Sequence, residues 1–477
     1  MKLYSLIKNI KCRILGNLLV DISGLYHKDS EVKKNGLFFC LSGTNVDGEN
    51  FINNAVINGA VAIVVEREQK LCGVTQIIVK DARRAMSLMA SEFYQNPHKR
   101  LKIIGVTGTN GKTTITHIFD QVMSSLNKKT AIIGTNGIKY CGKIYDTGMT
   151  TPDPIILQKH LSCMLQRGVE YVFMEVSAHA LDLHKVEGII FDAMVFTNLT
   201  QDHLDYFLTM ENYYRAKEKA FLLNRTKLSI INVDDEYGVR LLRSIKTPVI
   251  TYSTSKHADI EANDICIKEN KQIFKVDNKL FTSNLLGRFN VSNILAVIGY
   301  LNHCGINDDK IVELVSAVKV VNGRFNTIII NNRLFVVDYA HTPDGLENVL
   351  CLCKNLLSEN GKLISVFGCG GNRETQKRSI MGQISSKCAD FTVITSDNPR
   401  FESRELIAHD IEKGMLNDQY KIILDRVDAI KFAYQISKAN DIVLLAGKGS
   451  ENYIDENGIK TQYSDMDEIK KLRGVND

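Results

Sequence analysis

The sequence predicts an α/β protein of three domains, the two larger ones built on parallel sheets. The length, a recurring strand–helix alternation and two breaks in that alternation carry the expectation. At 477 residues the chain exceeds what one core holds, and length alone suggests about three domains. Short apolar runs recur between helical patterns. LKIIGV, YVFMEV, AMVFTN and LSIINV lie in the middle, and LFVVDYA, KLISVFG, FTVITSD, YKIILD and DIVLLAG follow later. Runs of this kind, apolar throughout rather than alternating, belong to strands covered on both faces. YQNPHKRLK (94–102) interrupts the pattern once and VVNGRFN (320–326) interrupts it again. The expected domains are therefore 1–98, 99–322 and 323–477. The first, with FFCLSG, VAIVVE and TQIIVKDA, reads as a smaller α/β unit, and the third as a Rossmann-like doubly wound domain.

Composition narrows the class. Hydrophobic residues at 44% and charged residues at 24% are ordinary for a globular protein. A net charge of +5 spread over the chain gives no case for nucleic acid but suits small anionic substrates. Eleven cysteines without a Cys-x-x-Cys pair point to free thiols in a reducing cytoplasm. Lys8, Lys11 and Arg13 interrupt the first apolar stretch, so no secretory leader and no membrane insertion are expected.

The stretch GVTGTNGKTT (105–114) carries the first chemistry. Leu101 to Val106 reads as a buried strand. Ile115, Ile118, Phe119, Val122, Met123 and Leu126 then recur at helical spacing. Strand, glycine-rich turn and helix are the context of a phosphate-binding loop, which makes the central sheet P-loop ATPase-type. Gly108 and Gly111 let the backbone of Thr109 and Asn110 approach phosphate oxygens, and the helix N-terminus at Lys112 favours their charge. Lys112 would reach the outer phosphates and Thr113 would bind Mg²⁺, with Thr114 following. Val106 departs from the common G-x-x-x-x-G-K-[ST] pattern, whose first glycine falls there.

Glu175 ends the run YVFMEV, at the carboxyl end of a strand where such sheets place ligands. TNLTQDHLDY (197–206) supplies Asn198, Asp202, His203 and Asp205 after the next strand. Taken alone, that segment equally fits a solvated loop with a helix cap. Lys217 is surrounded at helical spacing by Met210, Tyr213, Tyr214, Ala220 and Phe221, which puts it on an apolar stripe. A snorkelling lysine is the plain reading. The sharper one is a buried amine of lowered pKa, able to take up CO₂ as a carbamate and so present oxygen to a second magnesium.

These segments resemble the Mur ligase family along the whole chain. GTNGKTT (108–114), EVSAHAL (175–181), TNLTQDHLDY with Ala216–Lys217, and DYAHTPD (338–344) match its motifs in order. The resemblance implies an ATP-dependent amide ligase of peptidoglycan precursor synthesis, with an acyl-phosphate intermediate. The first domain would bind the UDP-sugar, the second ATP, and the third the incoming amino acid. Lys217 would be the carbamylated lysine, and Thr113, Glu175 and His203 would lie around the metals. Lys112, Lys217 and His203 are the expected catalytic residues. Asn293, Arg324 and Asp338 would join the loop residues around the nucleotide.

The loops FGCGGNRE (367–374), TSDNPRFE (395–402) and LAGKGSENY (445–453) each follow a strand and could line one crevice. Asp397–Asn398–Pro399–Arg400 resembles the loop of members that add meso-diaminopimelate to UDP-N-acetylmuramoyl-L-alanyl-D-glutamate. Arg400 offers a planar fork for the distal carboxylate and Glu451 an anion for the ammonium. Arg373 and Gly447 align with the same site. Lysine would leave Arg400 unpaired, at a cost of roughly 1–3 kcal/mol. By the same resemblance Ser30 and Thr44–Asn45–Val46 lie near the UDP, and Lys185 lies at the UDP-sugar. Thr150, Thr151 and Ser177 would contact the muramoyl-peptide. Glu31, Ala178, Leu183, Lys185 and Ser450 depart from the usual residues, bearing on substrate affinity more than on the chemistry. A monomer is expected. A lysine-adding, D-alanyl-D-alanine-adding or folylpolyglutamate-type ligase is the near alternative. A P-loop switch or ATPase that only binds a partner is the distant one.

Overall fold

In the computed structural model the apolar runs pair into three separate sheets plus one hairpin, described over residues 1–43, 47–70, 73–222 and 225–474. The amino-terminal sheet has five strands in the order Cys12–Leu15, Thr75–Val79, Ala60–Val65, Gly36–Phe39 and Gly24–Tyr26. All its pairings are parallel except the first.

The central sheet has eleven strands, and its parallel part runs from Ile260–Lys268 through Val249–Ser253, Ser229–Asn232, Ala193–Phe196, Lys102–Thr107 and Tyr171–Glu175 to Thr130–Gly134. Antiparallel strands close both ends, Lys271–Val276 and Lys279–Ser283 at one and Gly137–Tyr140 and Lys143–Tyr145 at the other. Two apolar clusters cover its faces. Phe119, Phe173 and Tyr300 belong to one, and Phe196, Tyr213 and Phe221 to the other.

The third sheet has the order Asn326–Ile330, Arg333–Asp338, Ile442–Ala446, Leu363–Phe367, Phe391–Ile394 and Tyr420–Ile422. Only its first pairing is antiparallel, and clusters around Phe367 and Phe335 fill its two faces. Ile442–Ala446, the last strand of this sheet in sequence, inserts between the second and third. That places the loops after residues 338, 367, 394 and 446 at one carboxyl edge, where open α/β sheets open a crevice. This edge faces the phosphate-loop edge of the central sheet. No described helix is long and apolar enough to cross a membrane.

Candidate active site

The strand Lys102–Thr107 delivers the loop 108–111 to the helix Lys112–Ser125. Gly108 (φ +153°) and Gly111 (φ +90°) permit the turn, and neither site has room for a side chain. A Cβ on Gly108 would lie 1.7 Å from the Thr197 hydroxyl, and one on Gly111 2.5 Å from Asn293 Oδ1. Lys112 folds across the loop, its Nζ donating to the carbonyls of Gly108 (2.9 Å) and Thr109 (2.8 Å). Thr113 Oγ1 donates to Glu175 Oε1 (2.9 Å) and accepts from Arg324 Nη2 (2.9 Å). The backbone N–H and hydroxyl of Thr135 fix the rest of the Glu175 carboxylate, each at 3.0 Å. Thr151 Oγ1 donates to the Glu175 carbonyl (2.8 Å) and accepts from the Ser177 N–H (3.1 Å).

His203 sits in the left-handed region (φ +58°), its Nε2 3.2 Å from Asp202 Oδ2 and its ring 4.8 Å from that of His179. Burial pushes the imidazole down to about 3, outweighing the pull of Asp202, so it is neutral at pH 7. Burial would raise Asp202, but Lys377, His203 and His341 hold it well below the usual carboxylate range. Lys217 is 1% exposed, as its helical spacing predicts. Its Nζ donates to the Gly108 carbonyl (2.8 Å) and lies 4.6 Å from the Tyr213 ring centre. Burial, reinforced by Lys112, carries its pKa well below the ordinary lysine value.

The third domain closes over this loop. Asn110 Nδ2 donates to Asp344 Oδ2 (2.7 Å). Glu374 accepts from Gln201 Nε2 (2.6 Å) and the Leu204 N–H (3.1 Å). Lys377 Nζ donates to Asp202 Oδ1 (3.3 Å) and Ser450 Oγ to Asn136 Oδ1 (3.0 Å). Asp338 is buried, accepting from the N–H groups of Phe325 (2.8 Å) and Ala340 (2.7 Å).

Two cavities result. One, of about 240 Å³, has Thr109–Thr113, Thr150, Glu175, Ser177 and His203 on one wall. Arg373, Asp397, Asn398, Arg400, Gly447 and Glu451 form the other. The second, of about 360 Å³, is bounded by Asn110, Gly111, Thr114, Asn293, Arg324 and Asp338. The expected nucleotide and amino-acid residues thus converge from loops more than 200 residues apart.

Other expected residues lie elsewhere. Lys217 lines neither cavity and stands behind the phosphate loop. Pro399 supports the turn, its carbonyl accepting from the Glu402 N–H (3.0 Å). Ser30 lines a separate cleft with His27, Phe38 and Phe51 in the first domain. Lys185 pairs with Asp153 at 2.9 Å. Thr44, Asn45 and Val46 lie outside the described residues. Thr135, Asp344, Glu374 and Lys377 were not singled out by sequence. Glu374 and Asp344 end quoted motifs, but only the closed arrangement gives them partners.

Among the described residues no group of three or more His, Cys, Asp and Glu side chains is placed to hold a metal ion. The oxygens of Thr113 and Glu175 do suit magnesium, which takes one or two carboxylates and completes its shell with water and phosphate.

Family models match along the chain: the Mur ligase family catalytic domain at residues 21–94, the Mur ligase middle domain at 106–301, and the Mur ligase glutamate ligase domain at 323–449. The chain is 41% identical to UDP-N-acetylmuramoyl-L-alanyl-D-glutamate--2,6-diaminopimelate ligase 1 of Clostridium acetobutylicum, covering 98% of each. It is 41% identical to the Aquifex aeolicus ligase of the same name, over 96% of this chain and 95% of that one. A solved structure titled as a ligase of this name superposes with a TM-score of 0.71 at 32% identity, covering 99% of this chain and 98% of that chain.

Proposed function

The chain belongs to the Mur ligase family, whose members are ATP-dependent ligases, and on that premise we propose its reaction. It adds meso-2,6-diaminopimelate to the D-glutamate γ-carboxyl of UDP-N-acetylmuramoyl-L-alanyl-D-glutamate, forming a peptidoglycan precursor. The observation that carries the reading is the 240 Å³ cavity, which sets a phosphate loop opposite two arginines and two carboxylates.

ATP occupies the larger cavity, with Thr114, Asn293 and Asp338 around the nucleoside and Arg324 reaching back towards Thr113. Gly108, Thr109, Asn110 and Gly111 offer backbone N–H groups to the phosphates, and Lys112 turns from its own loop carbonyls to the outer ones. A D-glutamate carboxylate oxygen forms the new bond to the γ-phosphorus as the bond to the ADP oxygen breaks. The amine of diaminopimelate then attacks the acyl-phosphate carbonyl, loses a proton, and phosphate leaves as the amide forms. Such transfer asks the protein for alignment, fixed charge and exclusion of water more than for covalent chemistry.

Thr113 and Glu175 would hold magnesium, which would neutralise the phosphate oxygens, and a carbamate on Lys217 would add a further oxygen ligand. Burial, which lowers the Lys217 pKa, favours the neutral amine that CO₂ requires. His203, neutral and facing the cavity, is suited to hydrogen bonding beside the metal. Thr150, Thr151 and Ser177 bracket the muramoyl-peptide. Ser30, Thr44, Asn45, Val46 and Lys185 serve the UDP-sugar. Arg400 and Arg373 take the distal carboxylate of diaminopimelate, with Asp397, Asn398, Gly447 and Glu451 around its ammonium. We assign the three domains to 1–98, 99–322 and 323–477, and place a monomeric enzyme in the cytoplasm.

The test is phosphate release from ATP, Mg²⁺, bicarbonate and UDP-N-acetylmuramoyl-L-alanyl-D-glutamate, with meso-diaminopimelate or L-lysine added. Release with diaminopimelate alone, and a tripeptide product by mass, is expected. Removing CO₂ should slow it and bicarbonate should restore it. Release with lysine instead sinks the account of Arg400, and release with neither sinks the ligase reading.

A further inference from the structure

Lys448 stands out among the buried ions because it lies immediately behind the amino-acid wall of the cavity without reaching the cavity itself. It is 0% exposed. Its ammonium donates to Asn398 Oδ1 (2.6 Å), the Tyr453 carbonyl (2.7 Å) and Glu451 Oε2 (3.2 Å), and lies 3.7 Å from Asp397 Oδ1. Three acceptors match its three protons, so the group is saturated. Asn398 is fixed in turn. Its Oδ1 also accepts from the Asp455 N–H (2.9 Å), and its Nδ2 donates to Glu451 Oε2 (2.8 Å).

The charges can be counted across this wall. Asp397 and Glu451 bring two carboxylates and Lys448 one ammonium, which leaves room for a single substrate cation. Arg373 and Arg400 face the same cavity and answer a substrate anion. An amino acid whose far end carries one ammonium and one carboxylate answers both sides, whereas a purely cationic end leaves both arginines unanswered. Without Lys448 the wall would hold two uncompensated carboxylates and would favour extra positive charge over a zwitterion.

Resting on the reading above, we propose that Lys448 is a specificity-determining counter-ion: it sets the charge of the Asp397–Asn398–Glu451 wall so that the site prefers a zwitterionic far end to a purely cationic one. It acts through Asn398 and Glu451 and does not touch the substrate, which makes it a positioning residue.

The test compares kcat/KM for meso-diaminopimelate and for L-lysine in the full-length enzyme, with KM for ATP as the internal control. In Lys448→Met the diaminopimelate-to-lysine ratio is expected to fall by about tenfold or more, mostly through KM for the amino acid, with KM for ATP unchanged. Equal loss for both amino acids would mark Lys448 as structural only and overturn the proposal. Lys448→Arg retains the charge and covers the case in which the methionine variant does not fold. It should keep the ratio within about threefold of wild type even if both rates fall, and a collapsed ratio overturns the proposal. Wild-type enzyme that uses neither amino acid overturns the ligase reading together with this one. A selective wild type with an unselective loss in the variants overturns this one alone.

Discussion

Replacing Lys377 by methionine separates closure of the third domain from folding. The lysine donates to Asp202 at 3.3 Å across the domain boundary, and each side chain is only 7% exposed. A hydrogen bond to a charged group contributes about 1.5–3 kcal/mol. At about 1.4 kcal/mol per decade, its loss amounts to roughly 10- to 150-fold. The cost falls on the closed form alone, because Asp202 regains water when the domains part. Lys377→Met is therefore expected to lower kcat/KM by that factor. Neither domain's folding is touched, so the melting temperature should move by less than about 2 °C, the scale of a surface change in domains of this size. Steady-state phosphate release and calorimetry on the same preparations read both quantities. A melting temperature several degrees lower with kcat/KM intact would refute the argument, since the pair would then be holding a fold rather than a closure.

Gly134→Ala tests the fixing of Glu175. The new Cβ would lie 2.2 Å from Glu175 Oε1, a carboxylate already pinned by Thr113 and Thr135. The Mg²⁺ concentration for half-maximal rate should rise by about tenfold or more, and an unchanged Mg²⁺ dependence would remove Glu175 from the metal. Glu187→Gln tests the contact between the first and central domains. Burial opposes ionisation of Glu187, but His184, Arg225 and Arg84 bring its carboxyl down to about 2 against an ordinary 4.5. Between those values the unfolded chain binds more protons than the folded one, so stability rises with pH there. The Glu187 contribution is complete above pH 4.5 and is lost as pH falls towards 2. The gap in melting temperature between wild type and variant should accordingly narrow on acidification from 4.5, and a constant gap would exclude the charge as its source.

Local pattern made much of this site legible. The glycines at 108 and 111, the apolar strand before them and the apolar helical stripe after them leave one arrangement. Lys217 announces its burial by its neighbours three and four residues away. The closing contacts were not legible. Lys377, on the helix Gln376–Cys388, and Asp202, in the loop before Leu204–Phe207, are 175 residues apart, so their pairing depends on how two domains dock, and no periodicity records that. The antiparallel strands Lys271–Val276 and Lys279–Ser283 carry lysines and lack the continuous apolar runs that mark the parallel core. Lys448 was visible as a letter in LAGKGSENY, but nothing in the letters places its ammonium under Asn398.

The bonds from Asp344 to Asn110 and from Arg324 to Thr113 make the nucleotide cavity a space between two bodies rather than a hole in one. On the proposed reading, the nucleotide is gripped from two sides at once, and the strength of those two bonds sets how readily the bodies part around it. Whatever tightens the grip on the reacting groups would then also lengthen the wait for the next substrate.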